Sequence, residues 1–206
     1  MEKEPQLCDM IREKAGEMYF RLGFKGVTLD DIAQEMCISK KTIYQHYANK
    51  NELVAAVAGT LMQMIFTEID TIAASGYNAI EELFEIRKFL RKTIEDKYQL
   101  ATFQLKRFFP EVSVRLNNNK FDKMQYCVTN NLLKGVSEGL FRKDINIDFV
   151  SRIYFTGISG TKDSNIFPDE LFSMDALHLL FLEYHLRAIC TPKGIALLDN
   201  YLKENS

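Results

Sequence analysis

Met36-Cys37-Ile38-Ser39-Lys40-Lys41-Thr42-Ile43-Tyr44-Gln45-His46-Tyr47 reads as a turn feeding a short basic helix. Ser39 brings the side-chain oxygen that an N-cap uses. Ile43 and Tyr47 lie four residues apart, on one helical face, and are assigned inward. That spacing turns Lys40, Lys41, Tyr44, Gln45 and His46 outward. No Asp or Glu occurs between Met36 and Asn51, whereas Lys40, Lys41 and Lys50 do. The outward set joins positive charge for phosphates to amide and imidazole groups that read base edges. Gln45 has the groups for a bidentate pair with adenine, and Lys41 can donate to guanine N7 or O6. A merely solvated lysine face is the plain alternative.

Working outward, Thr28-Leu29-Asp30-Asp31 resembles a capping box with Asp in place of Glu. The helix it opens is expected to bury Leu29, Ile32, Ala33 and Met36. Helix 28–36, the turn and helix 39–47 make a helix-turn-helix of the DNA-binding kind. Before it, Gln6 to Leu22 carries Ile11, Ala15, Met18 and Leu22 as one apolar stripe, with Gly23 as its C-terminal stop. After it, Asn49-Lys50-Asn51-Glu52 caps a long helix with Leu53, Val57, Leu61, Met64, Ile65, Ile69 and Ile72, closed by Ser75-Gly76. Amphipathic helices are then expected over 78–96, 98–108, 110–138, around 147–158, over Met174–Ile189, and from Pro192 to near Lys203. Pro110 suits a first turn and Gly139 a helix end.

Ten Gly and four Pro in 206 residues, with no Trp, agree with an all-α fold. The formal net charge of -2 means that any nucleic-acid role rests on a local basic patch. Cys8, Cys37, Cys127 and Cys190 are scattered without a CxxC pair, which favours neither disulfides nor a zinc cluster. The charged start MEKEPQLCDMIREK has no apolar leader, and no stretch approaches about 18 uncharged apolar residues. The expectation is a cytoplasmic protein with no membrane association.

Gly23-Phe24-Lys25-Gly26-Val27-Thr28-Leu29-Asp30-Asp31-Ile32-Ala33, then Ile38 to Tyr47 and Lys50-Asn51-Glu52-Leu53, strongly resembles the TetR family of bacterial transcriptional regulators. The likeness runs from about Ile11 through Val57; beyond it only helix number and length agree. The resemblance implies a DNA-binding head at residues 1–48 and a helical effector-binding and dimerisation domain at 49–206. It further implies that Thr28 caps the second helix and touches phosphate, that Thr42 and Tyr44 touch the DNA backbone, and that Lys50 grips a phosphate. Ser39, Lys40, Lys41, Gln45 and His46 complete the DNA-contacting set, with Lys40, Lys41, Gln45 and His46 setting sequence preference. The implied partners are a double-stranded operator, an unknown small-molecule effector and a second copy of the chain. The implied action is repression by a dimer on a palindromic operator, with an activator of the same architecture as the alternative.

The 15 Phe and 9 Tyr lie mostly beyond residue 60. Phe66, Phe84, Phe103, Phe108, Tyr126 and Phe155 are candidates for an effector pocket, against a reading as plain core. Ala176 to Leu182 is nearly apolar all round, so one side needs a second cover. Phe149, Ile153, Leu177, Leu180, Phe181 and Tyr184 are the candidate dimer interface. A two-fold dimer would present recognition helices to major-groove turns about 34–36 Å apart.

Rival readings are an enzyme and a helical interaction module without DNA binding. Gly157-Ile158-Ser159-Gly160 superficially matches a nucleophile elbow but lacks a preceding strand. His178 and His185 share a helical face near Cys190, which invites a metal, yet no third ligand spacing supports one. Neither catalytic residues nor cofactors are expected. Cys37 stands where the family has glycine; it either carries left-handed strain or relaxes the turn, with redox sensing as the sharper alternative.

Overall fold

The computed structural model describes residues 6–95 and 98–204. Among these residues every regular element is helical. They are α1 (Leu7–Leu22), α2 (Leu29–Glu35), α3 (Lys40–Tyr44), α4 (Lys50–Ala74), α5 (Ala79–Leu90), α6 (Gln99–Phe108), α7 (Pro110–Ser137), α8 (Ile147–Gly160), α9 (Met174–Ile189) and α10 (Pro192–Glu204). A π-helical turn, Arg91–Glu95, follows α5. The helix expected over 78–96 therefore stops at Leu90 and widens, while 96 and 97 lie outside the described residues.

The chain folds into two compact units: residues up to Phe66 with Lys92–Lys120, and Thr67–Arg91 with Phe121 onward. In the first unit, Ile11, Ala15, Met18 and Tyr19 of α1 meet Leu29, Ile32, Ala33, Ile43 and Tyr47. Leu53, Val54 and Val57 of α4, with Ala101, Phe109 and Val112, close the same core. Phe24 stacks on Tyr19 with centroids 5.0 Å apart and meets Phe109 edge-on at 6.3 Å. Tyr47 donates its hydroxyl to the Cys8 carbonyl at 2.9 Å, pinning the start of α1. Burying each large aliphatic here contributes roughly 1.5–3 kcal/mol.

The expected stripe on α1 holds for Ile11, Ala15 and Met18, but Leu22 is exposed. Gly23 ends the helix with φ 88°, and that sharp departure leaves Leu22 outside the core. Met64 is likewise exposed rather than part of the α4 stripe. By length and hydropathy alone α4 could cross a membrane. Its Leu53, Val54, Ala55, Val57, Ala58, Ile65 and Ile69 are buried within the molecule.

The second unit packs Ala79, Ile80, Leu83 and Phe84 of α5 with Val128 and Leu132 of α7. Leu182, Leu186 and Ile189 of α9 and Leu198 of α10 complete that core. Gly139 ends α7 at φ 71°, and Leu140 donates its N–H back to the Gly135 carbonyl at 2.9 Å. Phe141 then lies directly on Gly135, whose missing side chain makes the space for its ring. Arg142 and Thr191 bond to the Ile189 and Leu140 carbonyls at 2.8 and 2.9 Å, tying this corner to the end of α9.

Inside the second unit lies a buried carboxylate. Glu82 accepts from Asn131 Nδ2 at 2.8 Å and from Lys134 Nζ at 2.6 Å, and Asn131 also donates to the Ala79 carbonyl. Removing one partner of a buried pair strands the other charge. Lys134→Met is therefore expected to cost about 2 kcal/mol, part of the usual penalty because Lys134 keeps some solvent contact. The double variant Glu82→Leu/Lys134→Met is expected to recover part of that loss, as read by urea unfolding; equal stability of Lys134→Met and the parent contradicts it.

Candidate nucleic-acid interface

Thr28 is the N-cap of α2 in a complete capping box. Its hydroxyl accepts the Asp31 N–H at 3.2 Å, and Asp31 Oδ2 accepts the Thr28 N–H at 2.7 Å. The same carboxylate accepts a hydrogen bond from the Thr28 hydroxyl at 2.8 Å. The Thr28 backbone bond is the leading reason the Asp31 carboxyl is held below its usual range. Asp does here what Glu ordinarily does, satisfying the first exposed amides of the helix.

The turn after α2 closes by two reverse bonds. Ile38 donates to the Ala33 carbonyl at 3.0 Å and Cys37 to the Gln34 carbonyl at 3.1 Å. This double bond pattern places the residue after the cap in the left-handed region. That residue is Cys37, at φ 53°, a conformation in which a side chain costs about 1 kcal/mol or more. Of the two expected outcomes, the strained one holds, and the turn does not relax. Cys37→Gly is expected to keep the turn and to leave stability unchanged or raised by up to about 1 kcal/mol. A lower melting temperature for that variant contradicts the assignment.

Ser39 caps α3, its Oγ accepting the Thr42 N–H at 3.0 Å and lying 2.8 Å from Thr42 Oγ1. The helix proper covers Lys40–Tyr44, shorter than the expected 39–47, because its last turn tightens. Tyr47 still bonds to the Ile43 carbonyl at 2.9 Å, so Gln45 and His46 stay on the same coil. Ile43 and Tyr47 are buried, as the spacing demands. Lys40, Lys41, Tyr44, Gln45 and His46 are exposed together, with Thr42 half-buried beside them.

The two α3 lysines are not equivalent. Lys40 Nζ lies 2.7 Å from Asp30 Oδ2, while among the described residues Lys41 has no ion pair. Lys50 is half-buried, its Nζ bonding the Lys25 carbonyl at 3.2 Å and lying 5.9 and 5.7 Å from the Tyr19 and Phe109 ring centroids. Burial pushes its pKa down. The ammonium expected to grip phosphate thus faces the α1–α2 connection in this structure. Lys25 and Gln104, which meet there, were not in the sequence-derived set; they are 79 residues apart, and no local pattern joins them.

The aromatic candidates for an effector pocket fall in both units. Phe66, Phe103 and Phe108 belong to the first, and Phe84, Tyr126 and Phe155 to the second. Arg107 lies over both Phe103 and Phe108, which are exposed. Phe84 is buried and stacks on Tyr201 at 4.3 Å, as core does. Phe155 meets Phe121 edge-on at 4.8 Å, and Tyr126 is exposed under Lys123.

The dimer candidates divide by exposure. Phe149, Ile153, Leu180 and Tyr184 are 60%, 47%, 54% and 72% exposed. Leu177, at 4%, is interior to its own chain, a correction that follows from its position on the inner face of α9. Phe181 is half-buried against Gly157 and Tyr154. His185 is buried under Tyr154, centroids 4.7 Å apart, and desolvation lowers its pKa to about 4. His178 is half-buried, and Cys190 is buried at the end of α9. Among the described residues no three His, Cys, Asp or Glu gather as a metal site. Gly157 to Gly160 lies inside α8, with no strand-to-helix elbow.

Residues 11–57 match the family model described as bacterial regulatory proteins, tetR family. Over 147 residues the chain is 28% identical to the HTH-type transcriptional repressor KstR2 of Mycobacterium tuberculosis, covering 69% of this chain and 72% of that one. The fold is similar to a transcriptional regulator from Cytophaga hutchinsonii, with TM-score 0.76, 19% identity and coverage of 88% and 97%. It is also similar to a transcriptional regulator from Saccharomonospora viridis in complex with choline, with TM-score 0.67, 20% identity and coverage of 89% and 97%. Capped helices, a closed turn and an exposed α3 face thus coincide with the matched segment, and it is this segment, residues 11–57, that belongs to the tetR family of bacterial regulatory proteins.

Proposed function

We propose that the chain is a repressor that acts by occupancy, two copies binding a palindromic operator and a small molecule releasing them. The observation that carries this reading is the α3 face, where Lys41, Tyr44, Gln45 and His46 stand exposed on a frame fixed by Ser39, Ile43 and Tyr47. In this reading residues 1–48, with Lys50 at the start of α4, supply the DNA contacts, and the rest of 49–206 supplies effector and dimer contacts, acting in the cytoplasm where the operator is. Thr28, Thr42, Tyr44 and Lys50 contact the backbone, and Lys40, Lys41, Gln45 and His46 read sequence. KstR2, named a repressor, supports the sign of the action.

Phe149, Ile153, Leu180 and Tyr184, in two i,i+4 pairs on α8 and α9, support a second copy as the cover of that face. A set of exposed large apolar groups of this kind is ordinarily a contact surface. The choline complex of the S. viridis regulator supports a small-molecule effector here, with Tyr126 and Phe155 of the second unit among its candidate walls. An effector acts by binding the released arrangement more tightly than the bound one.

The test is an electrophoretic shift with duplex DNA from upstream of the chain's own gene, beside light scattering of the free protein. A saturable shift and a dimer mass at micromolar concentration are expected. A monomer mass, or no shift at low salt, contradicts the reading. A thermal-shift ligand screen followed by operator release identifies the effector, and transcript levels after gene deletion rise for a repressor and fall for an activator.

A further inference from the structure

We infer that Gln104 is a positioning residue for DNA binding, a latch on the α1–α2 connection that sets where Thr28 stands. The inference rests on the DNA-binding reading above and adds to it a control point outside the helix-turn-helix. Residues 23–27 join α1 to α2 and end on Thr28, the N-cap of α2. Phe24 and Val27 seat the connection in the core, and its polar anchorage comes from α4 and α6.

Lys25 is exposed, yet three contacts hold it. Its N–H donates to Gln104 Oε1 of α6 at 3.3 Å, and its carbonyl accepts from Lys50 Nζ of α4 at 3.2 Å. Its own ammonium lies 4.6 Å from the centroid of Phe108, also on α6. The Gln104 amide covers Gly23 closely. A Cβ built there meets Nε2 and Oε1 at 2.7 Å and Cδ at 3.1 Å, while φ 88° already excludes most side chains. A side chain at position 23 would push that amide aside, away from its present place over the connection. Val27, two residues on, is buried at 2% exposure, so displacement of the anchored backbone is passed to Thr28.

These contacts are unlike general core packing in one respect: they are polar, directional and made to backbone. A side chain that moves with α6 therefore carries the connection with it, and Thr28 and the capping box follow. Coupling of this size between a remote contact and a binding surface is typically 5- to 150-fold in affinity.

The test compares Gln104→Met, which keeps length without the carbonyl acceptor, with Gln104→Glu, which keeps an acceptor. Amide exchange of the free protein is read at Lys25 to Thr28, and affinity for duplex DNA from upstream of its own gene is read under salt high enough to screen one added charge. Gln104→Met is expected to speed exchange at Lys25 about tenfold and to weaken DNA binding about tenfold, with its melting temperature nearly unchanged. Gln104→Glu is expected to stay within about threefold of the parent on both measures, a rescue that plain filling of space would not give. Unchanged Lys25 exchange in Gln104→Met, or unchanged DNA affinity, overturns the latch while leaving the DNA-binding reading intact. Failure of the parent chain to bind the duplex overturns both together.

Discussion

Lys41→Glu is expected to weaken binding to duplex DNA by about a hundredfold near 0.1 M salt and to lower the salt slope by roughly one to two. The argument starts from the division of labour on α3. Lys40 is already engaged by Asp30 at 2.7 Å, so part of its charge is neutralised before any DNA arrives. Lys41 stands on the exposed face with no ion pair among the described residues, beside Gln45 and His46. Reversing its charge removes one attraction and adds one repulsion at the point of closest approach. Lys40→Ala is expected to cost only about threefold, since its ammonium is already paired with Asp30 and has less to offer a phosphate. Fluorescence anisotropy at several salt concentrations checks both; equal losses for the two variants contradict the asymmetry. The fold should survive either change, because both side chains are exposed.

Acid should destabilise the second unit through His185, independently of DNA. Burial under Tyr154 and beside Phe181 lowers the folded-state pKa to about 4 from 6.5. The unfolded chain takes up that proton first, so the contribution is fully present above about pH 6.5 and is lost as pH falls toward 4. Linkage with these values gives a loss of about 2 kcal/mol between pH 7 and pH 5. That window lies mostly above the range where ordinary carboxylates titrate, which isolates the histidine. His185→Phe is expected to flatten the dependence of urea-unfolding stability on pH over that window, and a slope unchanged by the substitution contradicts the assignment. Burial also pushes the Tyr154 hydroxyl up to about 12, so it contributes nothing to this range.

The parts of this fold legible in the sequence are those set by neighbours along the chain. The Thr28–Asp31 box, the Ser39 cap and the Ile43–Tyr47 pair each need only three or four residues of spacing, and all formed as read. Helix ends at Gly23, Gly76 and Gly139 were legible because each takes positive φ. Leu22 and Met64 were misplaced because periodicity names a face but not its edges. The π-helical turn at Arg91–Glu95 carries no residue that forbids an α-helix, so its spacing gave no warning.

The site was legible by residue type and less so by partner. Lys40 and Lys41 look alike in sequence; Asp30, ten residues back across the turn, makes them different. Lys50 reads as an exposed cation at a helix start, yet the carbonyl it caps belongs to Lys25. Gln104 had no local signal, since the glycine it covers ends α1, far earlier in the chain. Leu177 shares an apolar run with Leu180, and only the packing of α9 separates inner from outer.

Selection of bound duplexes from a random library, with footprinting of the enriched sequence, tests the central claim most directly. The predicted result is an inverted repeat whose half-site centres lie about 34–36 Å apart on one face of the duplex, protected by two copies of the chain. Enrichment should be lost for Lys41→Glu. No enrichment by the folded parent chain, or binding indifferent to Lys41, contradicts the account.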